Sequence, residues 1–232
     1  MYRMLIKWGS IVVKGSGKLG GHVFSGGPGG ASVHTLARAR NPQTKYQMAI
    51  RARFTLLSQG WRDLTEVQRE SWYGAETEFS RKNRFGDTVL LSGKNLYNAL
   101  NAQRLIIGLP IVNLAPLPTE LPKLRVDNTT IELTNERILI RGLFEGGTKY
   151  MVVSSGRISE GARSFREKVR IIVIGESNTG GNYIAPPELV YSSYIEQFGE
   201  PKLGDKIFMG IYSVNSSGQR SPFSLVQATF LV

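Results

Sequence analysis

The sequence predicts an α+β chain of several units: a glycine-rich β arm, a small helical unit and an all-β sandwich. Three observations carry that reading. Eight glycines crowd into positions 15–30. Apolar residues recur at helical period between Tyr46 and Ile107. Beyond Lys123 that period vanishes and short strand-like runs replace it.

Residues 1–42 are the expected arm. Gly15, Gly17, Gly20, Gly21, Gly26, Gly27, Gly29 and Gly30 punctuate the short β-prone pieces Ile11–Val13, His22–Phe24 and Ala31–Leu36. Glycine in such a setting serves tight turns or close backbone approach to a partner. A segment this poor in bulky side chains gains little from burial, so it is expected to order against a neighbour.

Residues 43–108 are the expected helical unit. Asn41-Pro42 holds Asn41 out of a helix, and Thr44 is a suitable N-cap. Tyr46, Ile50, Phe54, Leu57, Trp61 and Leu64 then form one apolar stripe. Thr65-Glu66-Val67-Gln68 is a capping-box pattern that starts a second helix, with Gln68, Trp72, Ala75 and Phe79 on its stripe. Asn83–Asp87 breaks that helix. Ser92-Gly93 opens a third, with Leu96, Leu100, Arg104 and Ile107 on one face, and Gly108 and Pro110 end it. Trp61 and Trp72 sit at helical spacing from other apolar residues, which marks them as core and not as a platform for stacking bases.

Residues 109–123 contain Pro110, Pro116, Pro118 and Pro122 and read as a stiff, extended linker. Residues 124–232 are the expected sandwich. Its strand-like runs are Thr129–Leu133, Arg137–Phe144, Lys149–Ser154, Val169–Ile174, Leu189–Ser192, Lys206–Val214 and Leu225–Val232. Seven runs in a segment of this size match an immunoglobulin-like sandwich. Pro186-Pro187 marks a loop, and Ser216-Ser217-Gly218-Gln219 the last hairpin turn.

Composition excludes much chemistry. The chain has 232 residues and no cysteine, so disulfides, Cys-ligated zinc, iron–sulfur clusters and thiol nucleophiles are ruled out. Two histidines, His22 and His34, cannot build a multi-His metal site from one chain. The longest apolar run, near Leu105–Ile111, is too short for a membrane helix and is broken by Gly108 and Pro110. Ile11–Val13 is likewise too short for the apolar part of a secretory leader, so none is expected. Charge is unevenly placed. The net charge is +11, yet residues 1–110 hold 16 Lys/Arg against 6 Asp/Glu, and residues 111–232 hold 13 against 12. The first acidic residue is Asp63. The N-terminal half is therefore expected to meet an anionic partner.

No catalytic, cofactor or metal site is expected. Gly15-x-Gly17-x-x-Gly20 matches a dinucleotide fingerprint, but further glycines follow where a helix should open, and Arg38 and Arg40 stand where an acid should be. Gly17-Lys18-Leu19 lacks the hydroxyl that a P-loop presents to magnesium. Glu66, Glu70, Glu76 and Glu78 fall on the second helix, where acid early and base late suit the helix dipole. No serine has the partners of a nucleophile. The informative set is basic: Lys14, Lys18, Arg38, Arg40, Lys45, Arg51 and Arg53. Arg51 and Arg53 flank the buried stripe of the first helix. The set suits acidic protein surfaces in an assembly, phosphate groups of DNA, or simply a solvated basic face. No zinc finger, RNP-like segment or helix-turn-helix accompanies it.

The runs Gly15-Ser16-Gly17-Lys18-Leu19-Gly20-Gly21-His22-Val23-Phe24-Ser25, Asn41-Pro42-x-Thr44-x-x-Gln47-x-x-x-Arg51-x-Arg53-Phe54 and Trp61-Arg62-x-Leu64-Thr65-x-x-Gln68-Arg69-x-x-Trp72 carry a resemblance. With Ser92-Gly93-x-Asn95-Leu96-Tyr97-x-x-Leu100-Asn101 and Gly108-x-Pro110, they resemble structural proteins of tailed phages and prophages over residues 15–116. The segment from Gly204 to Pro222 is similar to the last two strands of a fibronectin-type or immunoglobulin-like module. The resemblance implies a non-enzymatic virion subunit of the head–tail connector or tail ring, with capsid decoration as the alternative. Its implied partners are copies of itself in a ring or lattice, other virion proteins (portal, capsid or tail) and packaged DNA, without a membrane or cofactor. DNA binding through the basic half is the reading from a different class.

Overall fold

A computed structural model describes residues 3–7, 15–26, 30–36, 41–83, 85–124, 126–132, 137–142, 149–156, 158, 169–176, 187–202 and 205–229. Lys14, Arg38, Arg40 and the Ile11–Val13 piece lie outside them. The chain is α+β and divides into two compact units, Met1–Ala99 with Val112–Leu117, and Leu100–Ile111 with Pro118–Val232.

Unit 1 begins with a four-stranded antiparallel sheet. Its strands are β1 (Arg3–Ile6), β2 (Gly17–Leu19), β3 (His22–Ser25) and β4 (Ala31–Thr35), in the order β1-β4-β3-β2. Gly20 and Gly21 join β2 to β3, with Leu19 opposite His22 and φ of 56° at Gly20. A positive φ at the first of two turn residues is the pattern of a type II′ hairpin, which glycine permits without a Cβ penalty. The glycines thus build a sheet in which most described side chains stay exposed or half-buried, with Ser32 the buried one.

The helices follow. α1 (Lys45–Asp63) starts at Thr44, whose hydroxyl accepts the Gln47 N–H. α2 (Glu66–Gly74) starts with the complete capping box: Thr65 accepts the Gln68 N–H, and the Gln68 side chain accepts the Thr65 N–H. Between α2 and the third helix the chain forms a small hairpin, β5 (Arg81–Lys82) and β6 (Thr88–Val89). The second helix is corrected: it ends at Gly74, well before the break expected at Asn83–Asp87, so Glu76, Glu78 and Phe79 lie beyond it. Asn83–Asp87 is instead the hairpin turn, where the Asn83 carboxamide oxygen accepts the Phe85 and Asp87 N–H groups. α3 (Gly93–Ile106) then begins with the Gly93 N–H on the Glu76 carboxylate at 2.5 Å. Glu76 is therefore a helix cap, which favours a negative charge at that end. A side chain at Gly93 would press on Trp72 and Tyr73, so close helix approach requires glycine there.

The core of unit 1 is aromatic. Tyr97 and Trp72 have no exposed surface and Trp61 has 8%. Tyr97 lies edge-on between the two indoles, 5.3 Å from each. Its hydroxyl is buried without a hydrogen-bond partner. Burial, and secondly the Asp63 carboxylate, push its phenol above the ordinary 10.0. Below pH 10.0 the folded and unfolded chains both keep this proton, so it adds no slope. Above it the unfolded chain ionises first, and the stability linked to this group is lost as pH rises through the folded value. Tyr97→Phe is expected to stabilise the fold by about 1 kcal/mol at neutral pH, because an unsatisfied buried hydroxyl is removed. It should also flatten the alkaline loss. Urea unfolding of both chains at neutral pH and above pH 10.0 checks this, and identical alkaline slopes would refute it.

Unit 2 is layered. Its main sheet has the order β10-β9-β11-β12 and is antiparallel throughout. The strands are β9 (Lys149–Ser154), β10 (Arg170–Glu176), β11 (Lys206–Val214) and β12 (Ser224–Thr229). β7 (Val126–Glu132) and β8 (Arg137–Gly142) form a separate pair. Six of the expected strand runs fall on these strands. The seventh, Leu189–Ser192, is corrected: it lies inside a helix, α4 (Pro187–Phe198). Unit 2 is therefore not all-β. Val190, Tyr191, Tyr194 and Phe198 recur at helical spacing, Pro187 is preset for a first helical position, and Gly199 at φ 80° ends the helix. One core joins Ile138 and Ile140 of β8, Val190, Tyr191 and Tyr194 of α4, and the inner faces of β9, β10 and β11.

The other face of the main sheet is covered as well. Met151, Val153, Tyr212 and Val214 pack with Ile106, Ile107 and Leu109. Burial on both faces explains the near-continuous apolar runs of β9 and β11. It also explains why the unit division departs from the expected arm, helix, linker and sandwich boundaries. The C-terminal half of α3 serves the β unit's core, so the division falls inside that helix, while arm and first helices share unit 1. The linker is pinned on both sides. Trp72 donates to Asn113 O at 2.8 Å in unit 1, and Thr119 N–H donates to the Gln219 side chain at 2.6 Å in unit 2.

Candidate docking surface

The described members of the basic set all lie in unit 1. Lys18 is exposed on β2, an edge strand of the N-terminal sheet. The register places Lys18 opposite Val23, Val23 opposite His34, and His34 opposite Arg3, so these positions form one row across one face. His22 pairs with Leu19 and Thr35 on the other face. The two histidines thus sit on opposite faces and do not converge on one ion. Among the described residues no cluster of three or more metal-ligating side chains occurs. The glycine fingerprint is spent on the β2–β3 hairpin, and no helix opens at its third glycine. Among the described residues no helix is long and apolar enough to cross a membrane.

On α1 Arg51 and Arg53 fall to either side of the buried stripe but are not equally exposed. Arg51 and Arg53 are about 160° apart around the helix. Arg53 is half-buried beside the inner stripe, while Arg51 is exposed and donates to the Asn41 side chain at 2.7 Å. Lys45 is exposed in the first turn. Arg51 instead shares a face with Arg62, about 20° away in angle and about 16 Å along the axis. Arg51, Phe54, Thr55, Ser58, Gln59 and Arg62 line one shallow open hollow. Arg62 was not among the sequence candidates, and the eleven-residue spacing from Arg51, three helical turns, is the signal that would have found it.

The apolar stripe of α1 is also used unequally. Leu57, Trp61 and Leu64 are buried, Tyr46 and Ile50 half-buried, and Phe54 is 51% exposed at the hollow. Exposed large apolar side chains concentrate in this unit, with twelve in unit 1 against four in unit 2 among the described residues. Charge follows the same division. Of 29 Lys/Arg and 18 Asp/Glu, unit 1 holds 15 and 6, and unit 2 holds 14 and 12. Among the described residues of unit 1 one ion pair forms, Lys7 with Asp87 at 3.6 Å. Most of the cations described in this unit thus have no acidic partner within it.

Comparison with protein-family models, with curated proteins and with solved structures finds no match for this chain.

Proposed function

We propose that this chain is a non-enzymatic structural subunit of a tailed-phage particle, placed in the head–tail connector or tail ring. It docks to neighbouring virion proteins through the N-terminal sheet and the first helices. The observation that carries the reading is the coincidence, on unit 1, of excess positive charge with most of the exposed apolar side chains among the described residues. Protein interfaces combine apolar anchors with a charged rim, whereas a basic face kept for solubility needs no apolar anchors. The resemblance of residues 15–116 to phage structural proteins supports the same reading. Several of its residues are structural here: Asn41 holds Arg51, Thr65 and Gln68 form the capping box, and Trp61 and Trp72 are core.

Unit 2 fits a scaffold or spacer. Its strand order β10-β9-β11-β12 is that of the C′, C, F and G strands of a fibronectin-type module, with β7–β8 as the first two strands. In chain order α4 stands where such a module has strand E. That likeness favours a second reading, decoration of the capsid, because sandwich modules suit an outward-facing role. DNA contact through Lys18, Arg51 and Arg62 is the third.

Purified particles decide among them. The chain is expected in fixed stoichiometry, with roughly a dozen copies for a ring and roughly hundreds for a decoration lattice. Absence from purified particles would overturn the proposal. Steeply salt-dependent duplex binding lost on replacing Lys18, Arg51 and Arg62 by alanine would favour the DNA reading.

A further inference from the structure

We infer that the α1–α2 corner is a head-to-tail contact between copies of this chain, with α2 of one copy seated in the α1 hollow of the next. The inference rests on the reading of the chain as an assembly subunit and names its partner.

The two faces are complementary. The α1 face carries Arg51 and Arg62 around Phe54, which is 51% exposed. On α2, Glu66 and Glu70 stand one turn apart, are exposed and form no ion pair among the described residues. Val67 and Tyr73 beside them are 70% and 51% exposed. Each face therefore pairs charge of one sign with exposed apolar surface, and the signs are opposite. Two other acids of unit 1 are already engaged, since Glu76 caps Gly93 and Asp87 pairs with Lys7.

Within one copy both faces are exposed, so their match is satisfied between copies. The faces also keep a constant relation. Arg69 of α2 donates to the Trp61 and Arg62 carbonyls of α1, which ties the two helices across the short link at Leu64-Thr65. A contact between two different faces held in fixed relation repeats the same rotation at every step. It closes into a ring or extends as a filament.

Two objections are answered by magnitudes. Unit 1 is net positive and repels a second copy at long range, but that repulsion is screened beyond about 8 Å at physiological ionic strength, while pairs in contact persist. A duplex in the hollow would use Arg51 and Arg62 but would be repelled by Glu66 and Glu70 on the adjoining helix. A second copy uses all four.

The test is charge reversal followed by mixing. The full chain is expected to associate with rising concentration in sedimentation and native mass measurements. R51E/R62E and E66R/E70R should each weaken association by about 10–100-fold, since two contacts turn repulsive. Mixed in equal amounts, the two variants should associate again, because an acidic α1 then meets a basic α2 and the native pair meets as well. Val67→Ser, at an exposed position that leaves the fold intact, should weaken association without any change of charge. A wild-type chain that stays monomeric, a reversed variant that associates like wild type, or a mixture that stays apart would each overturn the inference. So would association that appears only with added duplex DNA. Presence of the chain in purified particles is read separately, so the subunit assignment can stand where this contact fails.

Discussion

Trp72→Ala costs unit 1 about 3–5 kcal/mol, the expected loss for an aromatic side chain removed from a closed core. Trp72 has no exposed surface and meets Tyr97 edge-on, with centroids 5.3 Å apart and rings at 87°. Tyr97 in turn meets Trp61, so the substitution leaves a cavity at the centre of the aromatic group. A second loss is added. The indole N–H holds the Asn113 carbonyl, which lies 41 residues away and anchors Val112–Leu117 to this unit. Trp72→Phe keeps most of the apolar volume but loses that bond, and is expected to cost about 1–2 kcal/mol. Against a total stability of about 5–15 kcal/mol the alanine variant is close to unfolding. Denaturant unfolding followed at the remaining tryptophans measures both. A cost below about 1 kcal/mol for the alanine variant would show that the aromatic trio does not hold the helices together. Unit 2 has its own core of β8, β9, β10, β11 and α4 and should keep its transition.

Gly218→Ala is the matching prediction for unit 2. Gly218 has φ 82°, in the left-handed region, at the turn between β11 and β12. A Cβ there would run into the Leu100 carbonyl oxygen of α3 and would also lie 3.2 Å from the Arg104 side chain. The carbonyl belongs to a helix and cannot step aside without breaking helical hydrogen bonds. Strain of about 1–2 kcal/mol for the backbone and about 1–3 kcal/mol for overpacking add to a cost of about 2–5 kcal/mol. Gly199→Ala separates the two causes. Gly199 has a similar φ of 80° but nothing within 4 Å of its would-be Cβ, so only the backbone cost is expected. Thermal unfolding of the two variants checks this. Equal shifts would mean that the approach of α3 to this turn places no demand on the residue.

Much of the chain was legible from local signals. Thr44 as an N-cap, the Thr65–Gln68 capping box and the start of the third helix near Gly93 each depend on residues within a few positions of one another. The runs read as β9 and β11 have the observed ends, because β-branched and aromatic residues cluster there and turn residues flank them. Leu189–Ser192 by itself is a short apolar run, and such a run does not distinguish a strand from a buried helix. The signal lay in the longer window from Pro187 to Gly199.

Assignments that depend on distant segments were not legible. Arm and helices share a unit although glycine content separates them sharply in the sequence. α3 reads as one continuous helix, yet Leu96 and Tyr97 belong to the aromatic unit and Ile106 and Ile107 to the β unit. Caps, turns and periods act through hydrogen bonds and dihedral preferences a few residues long, so they are written in short stretches of sequence. Which segment covers which apolar face depends on burial between parts of the chain tens of residues apart, and that was settled only when the chain packed.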